Sequence, residues 1–394
     1  MFWQITWFEI SYWLRSKMLW VFFGVIALMV FAAVSTPNVQ LFIVLTNTYH
    51  NAPFVISGYY GFISLVMLLM AAAFVNSAAL RDFRFNTSQI VFSTPMRRRD
   101  YLFGRFIGAT LVSTIPMLGV SAGILAAKYM PWADPDQWGR VNWAAHLHAI
   151  YVFALPNALI IAAILFAIAV MARNEVVPFI GALVLLIGYI AAGVLLQDLR
   201  HENYVVFADP FGIRTFALTA KYWTVADKNS IPVALSGLML WNRLLWAAVA
   251  AAIFTFAYFR FSFSEKASKA KPAEADSQAQ PIAVGRPVLN PNLRFVAWKQ
   301  LFQSLGIHLR GMLVSVPFII IMLAGGLNCL VGLMFNATEG YGNHTLPVTF
   351  WVLDLIRGTL YLFVIVVVTF YAGVLVWKDK DERMDEIVDA TPVP

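Results

Sequence analysis

From Phe54 to Leu80 the chain reads FVISGYYGFISLVMLLMAAAFVNSAAL without one charged side chain, and then turns to Arg81-Asp82-Phe83-Arg84. About 20 apolar residues in a helix cover the hydrocarbon of a bilayer, so this stretch is long enough to cross one. Inside lipid every backbone N–H and C=O needs a partner within the segment, which makes the stretch a helix rather than an open strand. The charges that follow mark its return to water.

Comparable apolar runs lie at Met18–Ser35, Phe103–Met130, Ala149–Met171, Val176–Leu196, Leu238–Phe261, Met312–Phe335 and Thr349–Trp377. The fold class expected is an all-α polytopic membrane protein with about eight transmembrane helices. Composition agrees. The chain is 60% apolar and only 12% charged over 394 residues, whereas a soluble domain carries about 25% charged residues. Lipid must cover part of such a surface. The net charge of +7 falls in the gaps between apolar runs, so it points to topology rather than to a nucleic-acid partner. The single cysteine, Cys329, lies within an apolar run, which excludes a disulfide framework and a thiolate metal site.

Basic residues set the orientation. Roughly twenty of the Lys and Arg side chains fall on one side of this arrangement. They include Arg15, Lys17, Arg81, Arg84, Arg97, Arg98, Arg99, Arg105, Arg260, Lys299, Lys378 and Lys380. The loops 38–53 and 336–348 on the other side carry none. By the positive-inside rule both termini are expected in the cytoplasm, which an even number of spans also requires. The expected location is a bacterial cytoplasmic membrane.

Three parts are expected along the chain: a six-span unit over 1–264 with an N-terminal amphipathic helix, a linker over 265–291, and a second, shorter unit over 292–394. The linker is rich in Ala, Lys, Pro, Glu and Gln and buries too little apolar surface to fold alone. The last unit resembles the start of the first. Trp3, Trp7, Ile10 and Leu14 recur at helical spacing before the first span, and Trp298, Phe302, Leu305 and Leu309 do so before the seventh. After the second span of each unit a basic-acidic pair is followed by Ile90-Val91 and Thr94-Pro95, or by Ile387-Val388 and Thr391-Pro392. Matching segments at the same topological point indicate an internal repeat.

No phosphate-binding G-x-x-x-x-G-K-[ST] loop occurs, so ATP hydrolysis is not expected in this chain. His201-Glu202 begins like a zinc-protease helix, but Val205 stands where the second histidine must fall. No catalytic constellation, metal site or cofactor is expected, and the chain is not expected to be an enzyme. Within the spans, Asp354 and Arg357 lie three residues apart and are expected to pair on one helix face. Arg243 is expected to reach the outer interface. Asn157, after Pro156, is expected to mark a kink or a polar contact between helices. Gly181 and Gly188 are expected to permit close helix packing. The segment 209–241, with Pro210, Gly212, Pro232 and Gly237, holds apolar pieces too short to span and is expected to form a re-entrant or surface pair of helices.

An amphipathic leading helix, two spans, a charged intracellular segment, four more spans and a broken segment before the sixth resemble type-2 ABC transporter permeases. That resemblance covers Met1 to Phe263 as one permease unit and implies that Arg81 through Arg99 form the coupling helix that docks on a separate ATPase. The residues implied are Arg81, Asp82, Arg84, Ile90, Phe92 and Pro95, with Asp385, Glu386 and Pro392 at the matching place in the second unit. A further resemblance is to long bacterial proteins in which two such units precede a zinc aminopeptidase-like domain. It rests on His50-Asn51-Ala52-Pro53, Tyr222-Trp223-Thr224-Val225-Ala226, Leu240-Trp241-Asn242-Arg243 and Asp385-Glu386-Ile387-Val388-Asp389. It implies that these 394 residues are a fragment, a truncated gene product or one partner of a split system. The function implied is that of a membrane permease subunit of an ATP-driven exporter, with an ATPase, membrane lipid and a second permease copy as partners. The alternative is a non-transporting membrane anchor or regulator of a partner such as a peptidase.

Overall fold

Helix α1 (Phe2–Leu14) turns Thr6, Glu9 and Trp13 inward, three and four residues apart on one face. Its other side exposes Trp3 and Trp7, as an interfacial helix does. In this computed structural model the described residues are 1–35, 47–85, 87–174, 176–195, 206–261, 293–315, short pieces of 318–333, and 348–381. They contain no strand. The chain divides into two compact units, Met1–Phe261 and Ser262–Pro394. The expected linker, most of the expected seventh span, and Asp385, Glu386 and Pro392 lie outside the described residues.

In the first unit, α2 (Lys17–Ser35) follows α1 through a corner tied by Trp20, whose indole N–H donates to the Leu14 carbonyl at 2.9 Å. Next come α3 (Pro53–Arg84), the short α4 (Ser88–Ser93), and α5 (Arg98–Thr114). Pro116, which has no N–H to give, interrupts the third span with one 3-10 turn before α6 (Gly119–Lys128). The fourth span joins α7 (Trp143–Ala149) to α8 (Leu155–Ala172) through a π segment at Ile150–Ala154. Pro156 lies directly after it and deprives the preceding turn of a donor, which accounts for the widened turn. Helix α9 (Val176–Leu195) is the fifth span. The short helices α10 (Ile213–Thr219) and α11 (Val225–Ser230) precede the sixth span, α12 (Gly237–Arg260). The expected pair of short helices is therefore present. Ile213, Thr215 and Phe216 of α10 are buried, so α10 packs into the bundle, whereas α11 has no buried residue.

Four glycines on the third span set the packing of the first two helices. A Cβ on Gly104 or Gly108 would run into Ile5 or Glu9 of α1, and one on Gly119 or Gly123 into the backbone of α2 at Phe23 or Ala27. Each pair has the spacing small-x-x-x-small, which lets two helix backbones touch. Gly181 packs in the same way on Ile168, but Gly188 has nothing near it. The expectation of close packing is thus met at Gly181 and corrected at Gly188, which faces open space.

Among the described residues seven helices are long and apolar enough to cross a membrane, and six of them belong to the first unit. The second and fourth spans are mostly buried, whereas α2 and α12 are mostly exposed and form the rim. Their outward Val21, Leu28, Phe256 and Phe259 make an apolar surface that suits lipid. In the second unit, α13 (Leu293–Leu313) exposes Trp298, Leu301, Phe302 and Leu305. Helix α14 (Thr349–Asp381) contains Val352–Leu375, at the place of the expected eighth span. Within this unit Tyr371 of α14 meets Ser315 and the ring of Phe318, and Phe363 covers Gly325.

Candidate functional site

Two buried polar constellations hold the first unit, one toward each end of the bundle. The first begins with Glu9 of α1, which has no exposed surface. One of its carboxylate oxygens accepts from Arg81 Nη1 at 2.9 Å and from Arg105 Nη1. Arg105 Nη2 also donates to Asp82 Oδ2 at 2.6 Å, and the Tyr101 hydroxyl donates to the same oxygen at 2.8 Å. The Arg81 guanidinium stands 3.9 Å from the centre of the Tyr12 ring. Two carboxylates and two guanidiniums thus close a buried group of balanced charge across α1, α3 and α5. Such a group is stable only while each member keeps its partners.

The segment after α3 is fastened to this cluster. Thr87 donates from its backbone N–H to the Asp82 carbonyl at 2.9 Å. Phe92 of α4 meets the rings of Phe83, Tyr101 and Phe261 at 5.7, 5.6 and 6.3 Å between centres. Ile90, on the opposite side of α4, is 71% exposed. Helix α4 is therefore an outward apolar knob whose inner side is gripped by the ends of α3, α5 and α12.

The second constellation surrounds Arg243. This residue is buried within α12, not at the outer interface as its place near the start of the span suggests. It is drawn inward by acceptors: Nη1 donates to Asn157 Oδ1 at 2.7 Å and to the Pro210 carbonyl at 3.5 Å. Asn157 in turn donates to Ser64 Oγ at 2.7 Å and to the Phe211 carbonyl at 3.1 Å. It is the expected polar contact between helices, joining α3, α8 and the turn before α10. Buried Asp209 accepts from the backbone N–H groups of Gly212, Arg214 and Thr215 at 2.9, 2.7 and 3.1 Å, satisfying the free amides that open α10. Gly212 has φ +73°, and the Arg243 guanidinium lies where its side chain would be. Nearer the end of the bundle the Tyr60 hydroxyl, Ser121 and His146 Nδ1 form a chain with 2.8 Å links.

Beyond Arg243 the loops form an open cavity of about 460 Å3 lined by Tyr49, Asn51, Arg140, Asn142, Trp143 and Asn229 among others. Asn51 fastens it, donating to the Gly139 carbonyl at 2.9 Å and accepting from the Gly139 N–H at 2.8 Å. Burial pushes the neighbouring His50 imidazole below its usual value.

The structure separates the candidate residues of the first intracellular segment. Arg81 and Asp82 point inward and are buried in the charged cluster, Phe92 is half-buried, and Arg84, Ile90 and Pro95 are exposed. Glu9, Arg105 and Tyr101, which sequence reasoning did not single out as site residues, complete the cluster. The signal that could have found Glu9 is a lone acid on an otherwise apolar and aromatic helix. Asp354 and Arg357 are both exposed on α14, and among the described residues no ion pair joins them. No group of metal-ligating side chains occurs among the described residues. The chain matches no family model and no curated protein. Its apolar helices and lipid-suited rim make it a multi-pass helical membrane protein.

Proposed function

We propose that this chain is the membrane permease subunit of an ATP-driven, ABC-type exporter whose ATPase is a separate protein. In this reading it lies in a bacterial cytoplasmic membrane with both termini in the cytoplasm, and the ATPase docks on α4. The second unit is built like the beginning of another permease unit, and a further permease copy completes the pathway. The supporting observation is α4: Ile90 projects outward while Phe92 and the Asp82 backbone tie the same segment to three membrane helices. A push on Ile90 is passed to the ends of α3, α5 and α12 through ring contacts, and from Asp82 through Arg105 to Glu9 and α1.

Within this reading the exposed Ile90 and Arg84 make the contacts, and buried Arg81 and Asp82 position them. The double substitution Ile90→Glu with Arg84→Glu changes only exposed side chains. It should reduce ATPase co-purification in mild detergent at least tenfold, equivalent to about 1.4 kcal/mol, with unchanged membrane insertion and melting temperature. Full recovery of the ATPase with the double variant would overturn this docking site.

A further inference from the structure

The end of the bundle that carries α4 has an aromatic floor edged by arginines. Phe261 and Tyr101 stack at 5.9 Å, and Phe92 meets both edge-on. Phe83 extends the floor beyond Phe92. On one side the Arg98 guanidinium lies 4.7 Å from the Tyr258 ring centre and 5.9 Å from that of Phe261. On the other, Arg173 lies 5.0 Å from the centre of Phe83. Arg97, Arg99 and Arg260 are exposed at this same end. The acids among the described residues here are Glu9 and Asp82, both held inside the charged cluster, and Asp100, 3.6 Å from Arg99. Nε and Nη2 of Arg98 are shielded from water and have no hydrogen-bond partner.

We propose that this end of the bundle binds the headgroup of an anionic phospholipid, with Arg98 at its centre. Arg98 begins α5, Arg173 follows α8 and Arg260 ends α12, so the guanidiniums stand where spans leave hydrocarbon. That is the depth of lipid phosphates. A guanidinium offers two parallel donors to a phosphate, and the ring beneath it keeps the fork in place. Arg98 is only half-buried, so a small outward turn of its guanidinium over the Tyr258 ring brings these partnerless donors to an acceptor, and a phosphodiester supplies one. The exposed Phe256 and Phe259 on α12 lie within about one and a half turns of Phe261 and give the acyl chains an apolar wall. Basic pockets between membrane helices recognise anionic headgroups by these same forces. Lipid binding at this end requires neither an ATPase nor transport.

The full chain is purified in neutral detergent and given dioleoyl phosphatidylglycerol or dioleoyl phosphatidylcholine. Bound lipid is counted by native mass spectrometry, and the melting temperature is read in parallel. The wild type should retain phosphatidylglycerol roughly tenfold better and melt higher with it. Arg98→Gln should bring the two lipids close to parity. Arg97→Gln with Arg99→Gln and Arg260→Gln, which alters only exposed side chains, should weaken retention without lowering the melting temperature in phosphatidylcholine. Arg140→Gln, at the far end, should leave the preference intact. Equal retention of both lipids by the wild type would overturn the proposal. So would displacement of the bound lipid by inorganic phosphate, which would make the site one for free anions. Arginine variants that keep their lipid preference and lose only a protein partner would overturn it as well.

Discussion

Glu9 holds two arginines with one carboxylate oxygen and meets no water. Glu9→Gln therefore leaves Arg81 and Arg105 short of an anion, and removing one member of a buried ionic group costs about 3–5 kcal/mol. A clear fall in the melting temperature of the detergent-purified protein is the expected outcome. Adding Arg105→Gln should cost less than the sum of the two single changes, because the second removes the charge the first stranded; strict additivity would mean that the two side chains do not act together. Gly212→Ala is expected to be equally damaging, since φ +73° disfavours a side chain and the Arg243 guanidinium fills its place. A melting temperature within a degree or two of wild type would contradict that. These residues also show where sequence reading stops. Arg81 and Glu9 are 72 positions apart and Arg105 and Glu9 are 96 apart, so no local spacing announces their meeting. Arg243 stands near a span terminus and reads as an interfacial charge; acceptors from Asn157 and Pro210, distant in sequence, draw it inward.

At the scale of elements, most of the architecture was legible because long uncharged runs in lipid permit only helices. The described spans begin and end within a few residues of those runs, apart from Arg98–Lys128 and Trp143–Ala172, which start five and six residues earlier. The amphipathic first turns there mix polar and aromatic side chains, so hydropathy alone clips them. The glycine seams at Gly104/Gly108 and Gly119/Gly123 were not read from the sequence, which singled out Gly181 and Gly188 instead, because the partner helix of a glycine is not a local property. Gly123→Leu should lift α2 away from α6, lower the melting temperature and open α2 to protease, while Gly188→Ala should stay within about 0.5 kcal/mol of wild type. Equal behaviour of the two variants would rule out the seam. On α11, the Thr224 hydroxyl and backbone N–H hold Asp227 below its usual carboxylate value. The folded chain thus keeps this carboxylate ionised to lower pH than the unfolded chain. The cap contributes fully above the unfolded value of 3.8 and is lost as pH falls through the lowered native one. Hydrogen-exchange protection of the α11 amides, corrected for intrinsic rate, should hold through neutral pH and drop only in acid; Thr224→Ala should abolish it at neutral pH.

Over the whole molecule, the charge asymmetry predicts which ends of the spans share a side. With Cys329→Ser as background, Ile90→Cys and Arg140→Cys place exposed thiols at opposite ends of the first unit. Only the second should react with an impermeant maleimide on intact cells, and labelling of the first instead would invert the orientation. The division at Phe261 further predicts that a chain ending at Ser264 inserts and melts like the first unit of the full protein. Aggregation of that shortened chain would show that the second unit is needed for the first to fold. The sequence could reveal the spans of the first unit and Val352–Leu375 of the second, since each is a local property. It could not reveal which helices would be central, because that depends on contacts such as those of Asn157 and the glycine seams.

The charged cluster also sets a timetable for synthesis. Glu9 leaves the ribosome first, and its partners follow 72 and 96 residues later. At roughly 5–20 residues per second, Arg105 arrives about 5–20 seconds after Glu9. Until Arg81 arrives α1 has no partner for its acid, and until Arg105 arrives the cluster is incomplete, so the helix waits at the water–lipid boundary with the exposed Trp3 and Trp7 holding it there. It settles fully only when the third span is delivered, so α1 is seated after the two spans that follow it in the chain.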